Sequence, residues 1–341
     1  MLVSIIIPVY NEEKYITGCM ESIMRQLFSH EQMEVFFVDG RSTDNTCKIL
    51  ESYAQKFPFI RLLDNPHRFA PHALNIGIKQ SKGDIIMRMD AHCTYPSNYV
   101  LRLTEQLFEL DADNVGGVWN TLPANHSVEA QSVAIASSHR FCIGSIGYRI
   151  GVNKIMEVDS VPFGCYRRDV FDKIGLFDEE LIRNQDNEFN SRLKNSGGKN
   201  YLIPDVVINY YARDSILKIC KMYYQYALFT PLVQKKLGKF DSWRRMIPSI
   251  FLFGLVLGGI LSSVPNAARK IFITVYFAVI AIYVLTALTI GLQQSLKYKR
   301  SGLLFYLPIT FFCIHFSYGW GYFVGLWKVL TRKTFGASVT R

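Results

Sequence analysis

Three long apolar stretches, residues 246–265, 271–292 and 303–327, fill the last third of the chain, and none of them contains Asp, Glu, Lys or Arg. A helix of about 20 apolar residues spans the hydrocarbon of a bilayer, and charge inside it is costly. This third therefore reads as membrane helices, which leaves residues 1–245 to supply whatever folds in water. Arg269, Lys270, Lys297, Lys299 and Arg300 fall in the breaks between the stretches. A basic cluster of Lys235, Lys236, Lys239, Arg244 and Arg245 stands before the first stretch, as expected on a cytosolic face. If all three stretches cross, the tail with Lys328, Arg332, Lys333 and Arg341 lies on the other side, against the positive-inside tendency. The third stretch also carries Pro308, His315, Gly319, Gly321 and Gly325, so a partly interfacial or re-entrant path stays open beside a full crossing.

The chain has 341 residues, enough for one or two domains, and is 49% hydrophobic with a formal net charge of +10. A basic balance serves nucleic acid, anionic membrane or phosphate-rich ligands. The basic residues gather beside the apolar third and are not interleaved with aromatics on a soluble module. The bilayer is therefore the expected partner and nucleic acid is not. The seven cysteines form no CxxC pair, which fits reduced thiols rather than disulfides or a zinc site. The opening apolar run, residues 2–9, has no basic region before it and meets Asn11-Glu12-Glu13 at once, so it reads as a buried strand, not a signal peptide.

Strand-like and helix-like segments alternate through residue 120. Runs at 3–8, 33–39, 59–63, 84–89 and 115–120 are apolar or β-branched, and 12–28, 43–57, 71–82 and 96–110 have helical spacing. That order predicts a mostly parallel sheet with helices on both faces. Tyr10-Asn11-Glu12, Asp39, Asp90 and His92 stand at the C-terminal ends of the strands, the edge where such sheets bind ligands. A single Asp there is as well explained as a turn former; three polar ends in order favour a site. Residues 120–213 are less regular, with Gly144, Gly147 and Gly151 in a glycine-rich loop and a helix over 184–196 stopped by Gly197-Gly198. Residues 215–237 form a candidate amphipathic helix, lying in the membrane interface or packed on the soluble domain. The expected division is an α/β catalytic domain over 1–214, an interfacial helix and basic linker over 215–245, membrane helices over 246–330 and a tail over 331–341.

Three segments carry a family resemblance. Val3-Ser4-Ile5-Ile6-Ile7-Pro8-Val9-Tyr10-Asn11-Glu12-Glu13, then Val38-Asp39-Gly40-Arg41-Ser42-Thr43-Asp44-Asn45-Thr46, then Gly83-Asp84-Ile85-Ile86-Met87-Arg88-Met89-Asp90-Ala91-His92 resemble, in order and spacing, the signatures of glycosyltransferase family 2. Met89-Asp90-Ala91-His92-Cys93 with Tyr95-Pro96 resembles its succinoglycan-type exopolysaccharide subgroup, as does a short C-terminal membrane bundle. The resemblance covers about residues 1–215 and implies a GT-A (Rossmann-like) nucleotide-diphospho-sugar transferase fold. It implies that Pro8, Tyr10, Glu12, Asp39 and Asp90 line the donor nucleotide pocket, with Asp39 accepting from the base. The alternatives from the residues alone are strand termination for Pro8 and core packing for Tyr10.

Breaking a bond to a nucleoside diphosphate builds negative charge that a divalent cation neutralises as a Lewis acid. The family's Asp-x-Asp is Asp90-Ala91-His92 here. Imidazole suits Mn²⁺ better than Mg²⁺, so Asp90 and His92 are the expected metal ligands with Mn²⁺ or Mg²⁺, and hydrogen bonding of His92 to phosphate is the alternative. Asp84 precedes its strand and serves the fold or the nucleotide pocket. Inverting transfer needs a base opposite the leaving group. The family's acidic motif falls on Asn184-Gln185-Asp186-Asn187-Glu188, with Gln185 at its first acidic position, so the resemblance gives the base role to Asp186. Glu188 is then a supporting carboxylate or a helix-terminal acid favoured by the dipole. Phe163-Gly164 resembles the acceptor-side strand, and Arg167-Arg168 after it hold phosphate or are solvated charge. Arg213 matches a position where related chains keep an arginine.

No GxxxxGK[ST] or strand-linked GxGxxG occurs, and Trp243-Arg244-Arg245 lacks the spacing of the QxxRW motif of processive synthases. The expectation is addition of a single hexose, from UDP-glucose or another UDP-sugar, to a lipid-linked saccharide in exopolysaccharide or cell-surface glycan synthesis. The enzyme is expected as a multi-pass inner-membrane protein with a cytoplasmic catalytic domain. The rivals are transfer onto polyprenyl phosphate, and a non-catalytic nucleotide-sugar-binding protein on the same fold. A transporter is disfavoured by the small membrane part without internal charge.

Overall fold

The computed structural model describes residues 1–238, 243–263, 265 and 269–336; Lys239 and Arg341 of the basic segments, and the side chain of Arg244, lie outside the described residues. These fall into two compact units, Met1–Asn120 with Ile146–Tyr211, and Thr121–Ser145 with the residues from Ala212 on.

Among the described residues the first unit is built on a nine-stranded sheet. Its strands are β1 Val3–Val9, β2 Met33–Asp39, β3 Ile60–Asp64, β4 Ile85–Arg88, β5 Cys93–Thr94, β6 Asn114–Leu122, β7 Met156–Glu157, β8 Cys165–Arg167 and β9 Asn200–Tyr211. The order is β3-β2-β1-β4-β8-β6-β9-β5, with β7 on β9. The half formed by β1 to β4 is parallel, with Val9 opposite Asp39 and Ile6 opposite Arg88. β8 enters antiparallel between β4 and β6. The helices are α1 Ile16–Met24, α2 Thr46–Ala54, α3 Ala70–Gln80, α4 Tyr99–Glu109, α5 Val128–Ala136, α6 Arg140–Ile143, α7 Gly147–Ile150, α8 Asp169–Ile174, α9 Gln185–Asn195, α10 Ile216–Leu237, α11 Ile247–Ser263, α12 Arg269–Tyr298 and α13 Leu303–Leu330.

The continuous apolar runs of β1 and β2 follow from burial on both faces. Val3, Ile5, Ile7, Val35 and Phe37 join one core with α1 and α4, while Ile6, Phe36 and Val38 join another with α3, α8 and α9. Buried Glu34 accepts from Ser4 Oγ (2.6 Å), Lys82 N (2.5 Å) and Gly83 N (3.2 Å), which fixes where β4 begins. Asp84 accepts from Leu2 N at 2.9 Å and so ties the same turn to β1. On the other half, Asn114 Nδ2 donates to Asn190 Oδ1 (2.7 Å) and Asn200 Oδ1 (2.9 Å), binding α9 to β6 and β9 through a buried amide cluster.

In the second unit α10 and α13 run side by side in the same direction. A β-carbon at Gly321 would strike the Tyr224 carbonyl and one at Gly325 the Leu228 carbonyl, four residues further along both helices. Small residues allow that approach. Tyr283 Oη lies 2.8 Å from His315 Nδ1, and His315 Nε2 lies 3.3 Å from the Cys142 carbonyl, joining α12, α13 and α6. Two helices, α12 and α13, are long and apolar enough to cross a membrane; α11 has 17 residues, short of that length. α12 is mostly exposed, with Ile271, Val275, Phe277, Ile282, Leu285 and Leu296 outward.

Candidate active site

The loops after β1 and β2 are laced together. Asn11 N donates to Ser42 Oγ (2.9 Å), Thr43 N to Asn11 Oδ1 (2.8 Å) and Glu12 N to Thr46 Oγ1 (2.7 Å). Asn11 and Arg41 take positive φ, 54° and 62°, to make these turns. Asp44 takes the Thr46 hydroxyl at 2.5 Å and the Thr46 N–H at 3.0 Å. Burial opposes its charge, yet these bonds and one from Glu13 N–H hold its carboxyl below the ordinary value. Asp39, buried at the end of β2, accepts Ser42 Oγ at 2.6 Å and Ser42 N at 2.9 Å. Burial first, and then the bond to Asp39, pushes the Cys47 thiol up to about 12. Pro8 lies within β1 opposite Val38, and Tyr10 follows the strand beside Gly40. Pro8, Tyr10, Glu12 and Asp39 thus share one strand edge.

The same edge carries Asp90 and His92 after β4. Tyr95, buried, clamps the Asp90 backbone: Asp90 N donates to Tyr95 Oη (2.6 Å), which donates to Asp90 O (3.1 Å). His92 is held by Tyr211 N on its carbonyl (3.3 Å) and by the Tyr210 ring at 5.2 Å. Its Nδ1 lies 2.7 Å from Asp90 Oδ1 and 3.5 Å from Glu12 Oε1, yet is buried without a hydrogen bond. Donor atoms of Glu12, Asp90 and His92 all fall within 4.8 Å of one another. Two carboxylates and an imidazole nitrogen gathered this closely form a donor set that fits a divalent cation. Sequence reasoning placed Glu12 in the nucleotide pocket and did not see it as a candidate third donor.

Asp186 stands in the first turn of α9, entered through Asn184 in the left-handed region (φ 63°). It pairs with Arg88, the last residue of β4, through Oδ1 and Nη1. Burial works against the Arg88 charge, but the Asp186 and Asp90 carboxylates outweigh it and raise the guanidinium above its ordinary value. Its guanidinium also lies 5.7 Å from the Phe163 ring centroid. Phe163 adopts φ 47°, an outlier for an aromatic residue, and stacks on Trp119 at 5.3 Å. The Gly164 carbonyl accepts Arg88 N at 2.9 Å, and a β-carbon at Gly164 would overlap Asn114 and Tyr166. Arg88 was missed in the sequence, where it reads as one charge on a strand.

Three expected or weighed residues are engaged elsewhere. Arg167 pairs in register with Ile85, at the start of β4, and binds Ala112 O (2.8 Å) and Asp111 (3.0 Å). Arg168 holds the Gly83 carbonyl and Ser81 Oγ. Glu188 is buried in a two-point pair with Arg192 (2.8 and 2.9 Å), which also holds the Leu176 carbonyl.

The sequence and the fold match known proteins. A family model described as "Glycosyl transferase family 2" matches residues 4–175. The dolichyl N-acetyl-alpha-D-glucosaminyl phosphate 3-beta-D-2,3-diacetamido-2,3-dideoxy-beta-D-glucuronosyltransferase of Methanococcus voltae is 31% identical over 343 residues, covering 96% of this chain and 97% of that one. The succinoglycan biosynthesis protein ExoA of Rhizobium meliloti (strain 1021) is 28% identical over 224 residues, covering 65% and 67%. Among solved structures, the mannosyltransferase PcManGT of Pyrobaculum calidifontis, in complex with GDP-Man and Mn²⁺, aligns at TM-score 0.59 with 16% identity over 93% of this chain and 87% of that one. S. aureus TarS 1-349 aligns at TM-score 0.51 with 18% identity over 94% and 92%. These likenesses bear out the GT-A-type fold expected from the sequence. With a matching family model over residues 4–175 and a relative alike along nearly its whole length, the chain belongs to glycosyl transferase family 2.

Proposed function

We propose that this chain is an inverting transferase that moves one sugar, from a UDP-sugar, onto a hydroxyl of a lipid-linked saccharide at the membrane face. The observation that carries this reading is the gathering of Glu12, Asp90 and His92 at the edge that also bears Asp39, with Asp186 tied to the same strand end. Tyr10 and Pro8 wall the nucleotide and Asp39 accepts from its base. Asp90 and His92, with Glu12, would hold Mn²⁺ or Mg²⁺, which when bound would offset charge on the departing diphosphate. Asp186 takes the acceptor hydroxyl's proton as the new glycosidic bond forms. Phe163 and Gly164 border the acceptor side. Arg167 and Glu188 are left out of the reaction, because their polar atoms are already committed to the fold.

The name of the M. voltae relative describes transfer onto a dolichyl-phosphate-linked sugar, which supports a lipid-linked saccharide as the acceptor class here. The exposed apolar surface of α12 supports membrane residence, and Lys235, Lys236 and Arg245 support a cytoplasmic catalytic side. An ionised phosphate acceptor needs no base, whereas a sugar hydroxyl does. Asp186→Asn should therefore abolish transfer to a lipid-linked saccharide in an assay of membrane lipid extract. Equal transfer by that variant, with polyprenyl phosphate as the better acceptor, would move the assignment to a polyprenyl-phosphate transferase.

A further inference from the structure

The arginines of the first unit divide by how they spend their donors. Arg167 gives Nε and Nη2 to carbonyls and to Asp111, Arg168 gives Nε and Nη2 to Gly83 and Ser81, and Arg192 uses Nε, Nη1 and Nη2 on Glu188, Ile174 and Leu176. These three bind strands and loops together. Arg88 is more buried than any of them, 9% exposed, yet among the described residues its one side-chain hydrogen bond runs from Nη1 to Asp186, and its Nε is buried without a partner. A buried guanidinium that bridges so little of the backbone is poorly suited as a structural brace.

Its partner is turned the other way. The Arg88 side chain is 11% exposed and that of Asp186 is 32% exposed. Asp186 meets Arg88 through Oδ1, and no second partner for its carboxylate occurs among the described residues. One oxygen is thus held by Arg88, while about a third of the carboxylate side chain stays open to solvent, room for an acceptor hydroxyl to approach. Arg88 is also the last residue of the strand that leads to Asp90, is fixed by Gly164 O on its own N–H, and carries its guanidinium beside the Phe163 ring. The base and the cation ligands are therefore spaced by one rigid strand end.

We propose that Arg88 is the positioning residue of the transfer step: through Nη1 it fixes Asp186 in the orientation that presents the free carboxylate oxygen to the acceptor, at a spacing from Asp90 set by β4. This rests on the reading of Asp186 as the base. A misplaced base costs about 10²-fold in rate, while the nucleotide-binding residues Pro8, Tyr10 and Asp39, carried by β1 and β2, are left alone. Lysine keeps the charge but not the planar fork, so it restores only part of the effect.

The test uses the full chain in detergent, with the donor chosen by wild-type turnover from a panel of UDP- and GDP-sugars and with membrane lipid extract as acceptor. Arg88→Gln should lower kcat about 10²-fold with donor KM and nucleotide affinity within about threefold of wild type, and Arg88→Lys should recover part of kcat. Adding Arg88→Gln to Asp186→Asn should lower the residual rate no further, since residues acting as a unit are non-additive. Wild-type kcat in Arg88→Gln, a loss confined to donor KM, or a full additive loss in the double variant would each overturn the proposal. If Arg88→Gln fails to fold, Arg88→Lys decides by the same split, reduced kcat with unchanged KM supporting the proposal and wild-type kcat sinking it. Turnover that survives Asp186→Asn sinks the base reading itself, whereas a dead Asp186→Asn beside a fully active Arg88→Gln removes only Arg88.

Discussion

Replacing Asp39 with asparagine takes one charge from the proposed donor site and almost no volume. A carboxylate offers about four acceptor positions. Ser42 occupies two of them, with its hydroxyl on Oδ1 at 2.6 Å and its N–H on Oδ2 at 2.9 Å. The Ser42 N–H can only donate, whereas the hydroxyl can turn and accept. In the variant the amide oxygen therefore stays on the N–H and the NH₂ group replaces Oδ1, keeping the turn at a cost of about 1 kcal/mol. A nucleobase N–H directed at Asp39 loses a charge-assisted bond worth about 1.5–3 kcal/mol. That is about a 10- to 150-fold rise in Kd. The loss falls equally on ground and transition states, so kcat at saturating donor should hold. Titration calorimetry with UDP, beside initial rates against donor concentration, reads both quantities. Ser42→Ala is the control: it removes the turn's own bond and should leave UDP affinity within about threefold. Wild-type UDP affinity in Asp39→Asn, or an equal loss in Ser42→Ala, would refute the reasoning.

Mn²⁺ at about 100 times its Kd should stabilise the nucleotide-free chain by about 2.7 kcal/mol through mass action; a melting curve should show the rise in wild type and lose it in His92→Ala or Asp90→Ala, and an undiminished rise in either contradicts the donor set. The Cys47 thiol, raised from 9.0 to about 12, holds only about 10⁻⁴ thiolate at pH 8, so alkylation followed by mass spectrometry should run about 10³-fold slower than at an ordinary thiol. Because the folded thiol keeps its proton to higher pH than the unfolded one, its contribution to stability is intact below about pH 9 and is lost as pH rises toward 12. Gly325→Leu, which drives a side chain into the Leu228 carbonyl, should destabilise the helical unit by on the order of 3 kcal/mol, while Gly254→Leu, with nothing within 4 Å, should be nearly neutral in the same thermal melts.

The parallel half of the fold was readable because its signals are local. β1 and β2 are apolar runs with a polar residue at the exit, and each is followed by a segment of helical spacing. Asp39, Asp90 and His92 stood out for the same reason, each lying just after such a run. The antiparallel half was opaque. β8 has three residues, and nothing in Cys165-Tyr166-Arg167 says that it runs opposite to β4, away from the ligand edge. That direction is why Arg167, plausible beside Phe163 and Gly164, ends opposite Ile85. β9 contains Pro204 and Asp205, which interrupt strand patterning, yet it runs for 12 residues. The partnership of Arg88 with Asp186 spans 98 positions, and only the folded sheet brings them together. The glycines of the third apolar stretch left its path open in the sequence; in the fold Gly321 and Gly325 serve a helix–helix contact with α10 and Gly319 one with α11.

The central claim is that this family 2 member is a metal-dependent transferase using Asp90 at the cation and Asp186 as base. The most direct measurement is nucleotide release from UDP- and GDP-sugars by the purified full chain, with Mn²⁺ or Mg²⁺ and with membrane lipid extract as acceptor. Wild type runs beside Asp90→Ala and Asp186→Asn. The account predicts cation-dependent release of one nucleotide, lost in both variants while Asp186→Asn still binds UDP. Tight UDP binding with no release by wild type, or release that survives both substitutions, would contradict it.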